Sequence, residues 1–193
     1  MPTGLLSEAV RKSLHLLVAF VPLLASIDLP ATVALLGVGT LFYSFAELSR
    51  RNGNAVLVIS DLTLIASRDR DRGQFVLGPV TLGLGAMLAL LLYPEPAASI
   101  GIYALAFGDG VASLAGTLIR GPRIPLLKGK TLAGSSACFV VVFLGTYRIT
   151  QRPGESLVVA ACATVLEAMP TGNFDNILVP VGVGMIASKL LLG

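Results

Sequence analysis

The chain has 193 residues, of which 54% are hydrophobic and only 13% charged, and its net charge is +3. Soluble domains carry about 25% charged residues. A mean hydropathy of +0.84 therefore excludes a chain whose whole surface faces water. We predict an all-α polytopic membrane protein, with residues 1–193 forming a single transmembrane domain. Its surroundings are the lipid bilayer, and we expect no nucleic-acid partner.

A bilayer core about 30 Å thick needs roughly 20 apolar helical residues, and runs approaching that length predict about seven transmembrane helices. In chain order these are Leu14–Leu29, Ala31–Leu48, Phe75–Tyr93, Ala97–Ile119, Leu132–Thr150, Glu155–Met169 and Ile177–Leu192. Between the second and third, Asn54–Ser67 is apolar but interrupted by Asp61, which favours an interfacial helix. The first apolar run ends without a small-residue cleavage site, so we do not expect a cleaved signal peptide.

The basic residues are distributed unevenly between the two predicted membrane faces. Eleven of the 14 fall on one side: Arg11, Lys12, Arg50, Arg51, Arg68, Arg70, Arg72, Arg120, Arg123, Lys128 and Lys130. By the positive-inside rule this side is cytoplasmic. Seven helices then place the N-terminus in the cytoplasm and the C-terminus on the opposite side.

Asp109 is the residue least expected in lipid, because it lies mid-way along the fourth predicted helix. A carboxylate at that depth is costly unless it faces a wet cavity, a cation or a partner. Gly108 and Gly110 on either side leave room for a ligand or for a break in the helix. The alternative is a buried packing partner of an Arg or Lys side chain.

Two further acids, Glu167 and Asp175, flank the short connection between the sixth and seventh helices. Helix capping alone would explain Asp175, whereas Glu167 lies inside an apolar stretch. Together with Asp109 they provide three carboxylates for catalysis and for one or two Mg²⁺ ions, which prefer oxygen ligands and phosphate partners.

The connection between the fourth and fifth helices is basic and rich in glycine. Lys128, Gly129, Lys130 and Thr131, with Gly134, resemble a cradle for a polyphosphate that leads into a helix N-terminus. It is not a Walker A loop, because Ile124 stands where that motif requires glycine. Ordinary positive-inside charge with Ser/Thr capping is the alternative.

At the start of the first helix, Arg11 and His15 share one helical face because they are four residues apart. With Lys12 they are candidates for contacting a phosphate or the substrate, although a single interfacial His is often only a snorkelling polar residue. Glu47 beside Arg50 and Arg51 predicts a local ion pair at a helix end. The run 68–72 predicts a solvated loop, or else one that touches phosphate or anionic headgroups.

The two cysteines, Cys138 and Cys162, lie within apolar runs and are interpreted as buried small hydrophobic residues. A chain with two cysteines and one histidine does not favour a disulfide framework or a Cys/His metal site.

The order of these motifs resembles the phytol kinase/dolichol kinase family, which includes the CTP-dependent diacylglycerol kinases of yeast type. The similarity rests on GDGVASLAGTLIRG around Asp109, on KGKTLAGS after it, on a distal Glu167, Asp175, Asn176 and Pro180, and on an opening Arg-Lys-x-x-His. It extends over nearly the whole chain.

The resemblance implies a multi-pass kinase that phosphorylates a lipid alcohol such as phytol, a polyprenol or diacylglycerol, with CTP as the usual donor and Mg²⁺ as cofactor. Asp109, Asp175 and Glu167 are then the acidic site residues. The nucleotide-binding residues are Arg120, Lys128, Gly129, Lys130, Thr131 and Asn176. The short length is typical of a prokaryotic enzyme of the cytoplasmic membrane.

Two other functions remain open from the sequence. A CTP:phosphatidate cytidylyltransferase also uses a nucleotide and Mg²⁺, but makes a CDP-lipid and releases pyrophosphate. A small transporter would also use glycine-interrupted helices and an acid near the midplane, but no inverted repeat is evident. The sequence does not specify the lipid, the choice between CTP and ATP, or the oligomeric state.

Overall fold

A computed structural model describes residues 4–67, 71, 73–119, 122 and 130–193, and these residues are helical throughout, apart from short connections. The α-helices are α1 (Gly4–Leu17), α2 (Val21–Ile27), α3 (Leu29–Arg51), α4 (Leu57–Ala66), α5 (Gly78–Leu92), α6 (Ala97–Tyr103), α7 (Gly110–Leu118), α8 (Leu132–Thr150), α9 (Pro153–Ala168) and α10 (Asp175–Leu192). A 3₁₀ turn, Val18–Phe20, joins α1 to α2, and a π-helical turn, Ala104–Asp109, joins α6 to α7.

The rod formed by α6, the π-helical turn and α7 runs through the middle of the bundle. It is the most buried of the long apolar helices, and Ile100, Ile102 and Leu105 are almost completely enclosed. Helices α5, α8, α9 and α10 pack around it, and their side chains share one hydrophobic core. The rod therefore positions whatever polar groups it carries at the centre of the bundle.

Glycines allow these helices to approach one another closely. A Cβ atom on Gly85 of α5 would lie 1.9 Å from the carbonyl oxygen of Asn176, and one on Gly101 would lie 2.3 Å from that of Pro180. Small residues at helix contacts are typical of membrane bundles, where backbone approach replaces the hydrophobic effect as the source of packing energy. Both contacts fix α10 against the centre of the fold.

Within the described residues, four helical segments are long and apolar enough to cross a membrane: Val10–Ile27, Leu29–Arg51, Ala97–Leu118 and Leu132–Thr150. The outer side of α3 exposes large apolar side chains, among them Leu35, Val38, Leu41 and Phe45. The prediction of an all-α polytopic membrane protein is thus confirmed. The number of seven transmembrane helices stays a prediction.

Several helix boundaries differ from the predicted ones. The first helix begins at Gly4 rather than Leu14, because the polar side chains of Arg11 and Lys12 find partners inside the protein. The third predicted helix corresponds to α5 and begins at Gly78 rather than Phe75. Val76 is instead bound to α3: its amide donates to Oε1 of Glu47, and its carbonyl accepts from the hydroxyl of Tyr43.

The structure can be compared directly with three smaller predictions. The segment predicted as interfacial contains α4, whose ten residues are too few to span a bilayer. Glu47 pairs with Arg50 across 2.7 Å, as predicted for the end of α3. Both cysteines are free; Cys138 is buried and Cys162 is half-buried.

Candidate functional site

Asp109 closes the π-helical turn of the central rod and is held by two side chains of α1. Nζ of Lys12 donates to Oδ2 of Asp109 at 2.6 Å and also to its backbone carbonyl at 3.2 Å. Nδ1 of His15 lies 3.2 Å from the same Oδ2 atom. Only 6% of the Lys12 side chain and 14% of the Asp109 side chain are exposed. The structure therefore assembles a buried Lys–Asp–His cluster from residues that the sequence proposed separately.

The irregular backbone at Asp109 is packed closely against α8. A Cβ atom on Gly108 would lie 3.1 Å from Val142 and 3.2 Å from Sγ of Cys138. The space predicted for a ligand beside Gly108 is thus filled by α8, and the glycine serves helix packing. A π-helical turn within an α-helical rod is a recurrent feature of functional sites, and here it ends at the acidic residue.

A second ion pair, Lys130 with Glu167, lies where α8 begins and α9 ends. The Glu167 side chain is 4% exposed, and its Oε2 atom has no hydrogen-bond partner among the described residues. The charge of Lys130 also acts on Asp109, and that of Lys12 acts on Glu167. The two ion pairs are therefore close enough to interact electrostatically.

A cavity of about 270 Å³ lies beside the Lys–Asp–His cluster. Its polar lining includes Arg11, His15, Asp109, Asp175 and Asn176, all of which the sequence analysis selected. The remaining wall is largely apolar and comes mostly from α1, α3, α4 and α5. An apolar cavity with a few convergent polar groups is the usual form of a small-molecule site.

The structure does not bring the three predicted carboxylates together as one metal site. No group of three His, Cys, Asp or Glu side chains with the spacing of metal ligands occurs in the part of the chain that the structure describes. Asp109 and Asp175 line the cavity, whereas Glu167 does not line it and pairs with Lys130. The Mg²⁺ site stays a prediction, and a cluster of all three acids is not what the fold provides.

Two residues predicted to bind the nucleotide have structural partners within the protein. Both bonds donated by the Asn176 amide stay within the protein: one goes to the carbonyl of Gly78 at 3.2 Å and one to the hydroxyl of Thr81 at 3.0 Å. Thr131 caps α8 by accepting from the amide of Gly134. The Asn176 contacts tie the start of α10 to the start of α5, whereas the Thr131 contact caps its own helix. The role of both residues in nucleotide binding stays a prediction.

Of the remaining nucleotide-binding candidates, only Lys130 is placed. It immediately precedes the N-terminal cap of the 19-residue helix α8, and 29% of its side chain is exposed. Arg120, Lys128 and Gly129 lie outside the described residues. Gly134 is not part of an open cradle, because a Cβ atom there would lie 2.7 Å from the carbonyl oxygen of Ala112.

Arg11 joins the cavity to α4. Its Nε atom donates to the carbonyl of Ala66 at 3.2 Å, in the last turn of α4. The hydroxyl of Ser7 accepts from Arg11 at 3.2 Å. A cation at the C-terminal end of a helix is stabilised by the helix dipole, so Arg11 holds α4 against α1 while its side chain forms part of the cavity wall.

Sequence reasoning missed four polar residues of the cavity: Tyr43, Thr63, Asp71 and Asn173. Tyr43 and Thr63 lie inside apolar runs and gave no signal. Asp71 belongs to the charged run 68–72, which was interpreted mainly as a solvated loop. Asn173 lies in the connection between the two predicted acids Glu167 and Asp175, which was the available clue.

Comparison with known proteins finds a plant relative of this chain. The chain is 28% identical, over 154 residues, to a protein of Triticum aestivum named as a probable chloroplastic phytol kinase. This chain is similar to a phytol kinase. The match confirms the resemblance drawn from the motifs, although it covers 69% of this chain and only 51% of the relative, so the chain spans about half of that protein's length. No family model matches the chain, and no solved structure matches it either.

Proposed function

We propose that this protein is a nucleotide-dependent kinase that phosphorylates the hydroxyl group of a membrane lipid alcohol. The observation that carries the proposal is the buried cluster of Lys12, Asp109 and His15 at the wall of an otherwise largely apolar cavity. A lipid alcohol has the same two parts, a polar hydroxyl and an apolar chain. The wheat relative is named as a phytol kinase, and phytol is such an alcohol.

The acceptor hydroxyl is activated by His15 and Asp109. Both residues line the cavity, and the carboxylate is 3.2 Å from Nδ1 of the imidazole. The pair receives the proton as the acceptor oxygen bonds to the terminal phosphorus of the nucleotide. The bond between that phosphorus and its bridging oxygen breaks, and a nucleoside diphosphate leaves. Lys12 offsets the buried negative charge of Asp109.

The donor phosphates bind at the start of α8. Lys130 supplies a positive charge there, at the positive end of the dipole of the 19-residue helix α8. The predicted residues Arg120, Lys128 and Gly129 belong to the same connection in the sequence. Phosphoryl transfer depends chiefly on positioning and charge; in this proposal Lys130 supplies charge to the donor, and the Lys12–Asp109 pair supplies it to the acceptor.

Glu167 is the residue that would hold a magnesium ion in this proposal. The Oε2 atom of Glu167 is buried and lacks a hydrogen-bond partner among the described residues, so one carboxylate oxygen remains to contact a cation. Mg²⁺ in kinases is commonly held by one or two carboxylates and by the substrate phosphates. When bound, the ion would neutralise charge on the phosphates that are transferred and released. In this proposal Asp109 and Asp175 serve the acceptor and Glu167 serves the donor.

CTP as the donor, and phytol, a polyprenol or diacylglycerol as the acceptor, follow from the family resemblance. The cytoplasmic placement of the N-terminus and of the site follows from the asymmetry of basic residues.

The deciding experiment follows the label from the nucleotide into the lipid. Purified protein in lipid bilayers is incubated with Mg²⁺, a panel of lipid alcohols, and CTP or ATP labelled at either the γ- or the α-phosphate. A kinase moves only the γ label. Transfer of the α label from CTP to phosphatidic acid, with release of pyrophosphate, would instead identify a cytidylyltransferase. Transfer of neither label to any lipid would contradict the proposal of an enzyme and would favour the alternative that the protein is a transporter.

A further inference from the structure

The wall of the cavity has polar and apolar parts. His15, Asp109 and Asp175 contribute polar atoms, whereas Phe42, Ile59 and Leu62 contribute apolar side chains. Phe42 belongs to α3, and Ile59 and Leu62 belong to α4. Part of the apolar wall is thus built where the short helix α4 lies against the long helix α3, beside the hydroxyl groups of Tyr43 and Thr63.

The mouth of the cavity is marked by residues that line it and are also exposed. Phe42 is 53% exposed and Leu62 is 41% exposed, although both contribute to the wall. Their neighbours on the outside are apolar as well: Phe45 is 64% exposed and Leu64 is 56% exposed, and neither lines the cavity. An apolar chain could pass between α3 and α4 from the bilayer to the polar part of the wall.

The size of the cavity limits what it can enclose. Its volume of about 270 Å³ lies just below the range of roughly 300–1,000 Å³ that is typical of sites enclosing drug-sized ligands. A long isoprenoid or acyl chain is larger than such ligands. Only the hydroxyl end and the nearest carbons can be enclosed, so the rest of the chain must lie outside the protein.

We infer that the chain of the substrate leaves the site between Phe42 and Leu62 and extends along α3 into the bilayer. This inference rests on the proposed function and makes it more specific. The protein then recognises the hydroxyl end and the first carbons of the alcohol, and it tolerates tails of different length.

The route of the substrate chain is tested by photolabelling, which does not require the protein to catalyse a reaction. A prenyl alcohol with a diazirine on its tail is photolysed with the full-length protein in bilayers, and the modified residues are located by mass spectrometry, with and without excess unlabelled alcohol. We expect competable labelling at and around Phe42 and Leu62. Competable labelling confined to the outer surfaces of α8 and α9, or labelling that excess alcohol does not reduce anywhere, would overturn the inference.

Two glycine substitutions provide a second test, one inside the cavity and one away from it as its control. Gly39 lines the cavity, and a Cβ atom there would meet no atom within 4 Å, so Gly39→Leu fills the cavity without a backbone clash. Gly145 on α8 is equally open and lies away from the cavity, which makes Gly145→Leu the control. We expect Gly39→Leu to reduce competable labelling at least about tenfold and the control to leave it unchanged. Equal labelling of both variants would contradict the inference.

The two proposals fail in different ways. If wild-type protein transfers phosphate to no alcohol, the proposed function fails while the labelling still reports whether chains occupy the cavity. If wild-type protein is active but Gly39→Leu labels and turns over normally, only the route of the chain is wrong. Among active acceptors, kcat/KM should depend on branching next to the hydroxyl and not on tail length, and a steep dependence on length would also contradict the inference.

Discussion

Lys12 and Asp109 are separated by 97 positions in the sequence, yet Nζ of one lies 2.6 Å from Oδ2 of the other. This contact fastens α1 to the central rod at the only place where that rod departs from α-helical geometry within its described length. Because both side chains are largely buried, each charge depends on the other for compensation. The pair is therefore part of the fold as well as of the candidate site.

Removing Lys12 should destabilise the protein. Lys12→Met leaves the Asp109 carboxylate buried without its closest cation, and breaking a buried pair in this way costs about 3–5 kcal/mol. We expect a lower thermal transition, measured in bilayers or detergent. The double variant Lys12→Met/Asp109→Asn should recover part of the loss, because it leaves neither charge alone. If Lys12→Met unfolds at the same temperature as wild type, the contact between Lys12 and Asp109 contributes little to stability.

Lys130 should matter for the nucleotide more than for the lipid. We expect Lys130→Ala to weaken nucleotide binding by about tenfold or more, equivalent to ~1.4 kcal/mol, because it removes a positive charge at the start of α8. Isothermal titration with CTP and Mg²⁺ measures the change. The control is Lys189→Ala, which removes a charge from the last turn of α10.

The double variant Lys130→Ala/Glu167→Gln separates stability from binding. Neutralising Glu167 should restore stability that Lys130→Ala loses, since no buried charge is left unpaired. Nucleotide affinity should stay low. Wild-type affinity in Lys130→Ala would place the donor phosphates elsewhere.

The close contact between α5 and α10 predicts a strong effect of one methyl group. A Cβ atom on Gly85 would overlap the carbonyl oxygen of Asn176, which is backbone and cannot rotate away. We expect Gly85→Ala to lower stability by about 3 kcal/mol, the upper part of the range for overpacking. Gly145→Ala, where no atom lies within 4 Å, should be neutral or slightly stabilising. Thermal denaturation of the two variants checks the difference, and equal transitions would refute the contact.

The orientation in the membrane can be tested by labelling. Single cysteines at Pro122 and at Arg152, in a background where Cys138 and Cys162 are replaced by alanine, report on the two ends of α8. A membrane-impermeant maleimide added to intact cells should label the position at Arg152 and not the one at Pro122. Labelling of the Pro122 position from outside would reverse the orientation and put the proposed nucleotide site on the wrong side.

The sequence predicted those parts of the structure that depend on local composition. The apolar run Leu132–Thr150 became α8 with the same ends, and Asp109 stood out because an acid in an apolar helix needs a partner. The shared face of Arg11 and His15 followed from helical spacing, and both residues do line the same cavity. These features need no knowledge of which helices are neighbours.

What the sequence could not supply was the arrangement of helices around the site. The partners of Asp109 come from α1, and nothing in the local pattern indicates which cation a buried acid will meet. Because helix neighbours could not be predicted, the three acids were expected to converge. In the folded protein Glu167 pairs with Lys130, whereas Asp109 and Asp175 line the cavity. Tyr43 and Thr63 resemble ordinary members of apolar helices until α4 is seen lying against α3.

The most direct test compares phosphoryl transfer by wild type and Asp109→Asn, at saturating CTP, Mg²⁺ and lipid alcohol and at a temperature where both are folded. The replacement keeps the shape of the side chain, but an amide neither accepts a proton nor orients His15 as an anion does. Because Lys12 loses its charged partner, the variant should also melt lower, so folding is verified in the same samples. We expect kcat to fall by about 100-fold or more, and a wild-type rate would show that Asp109 only holds α1 in place.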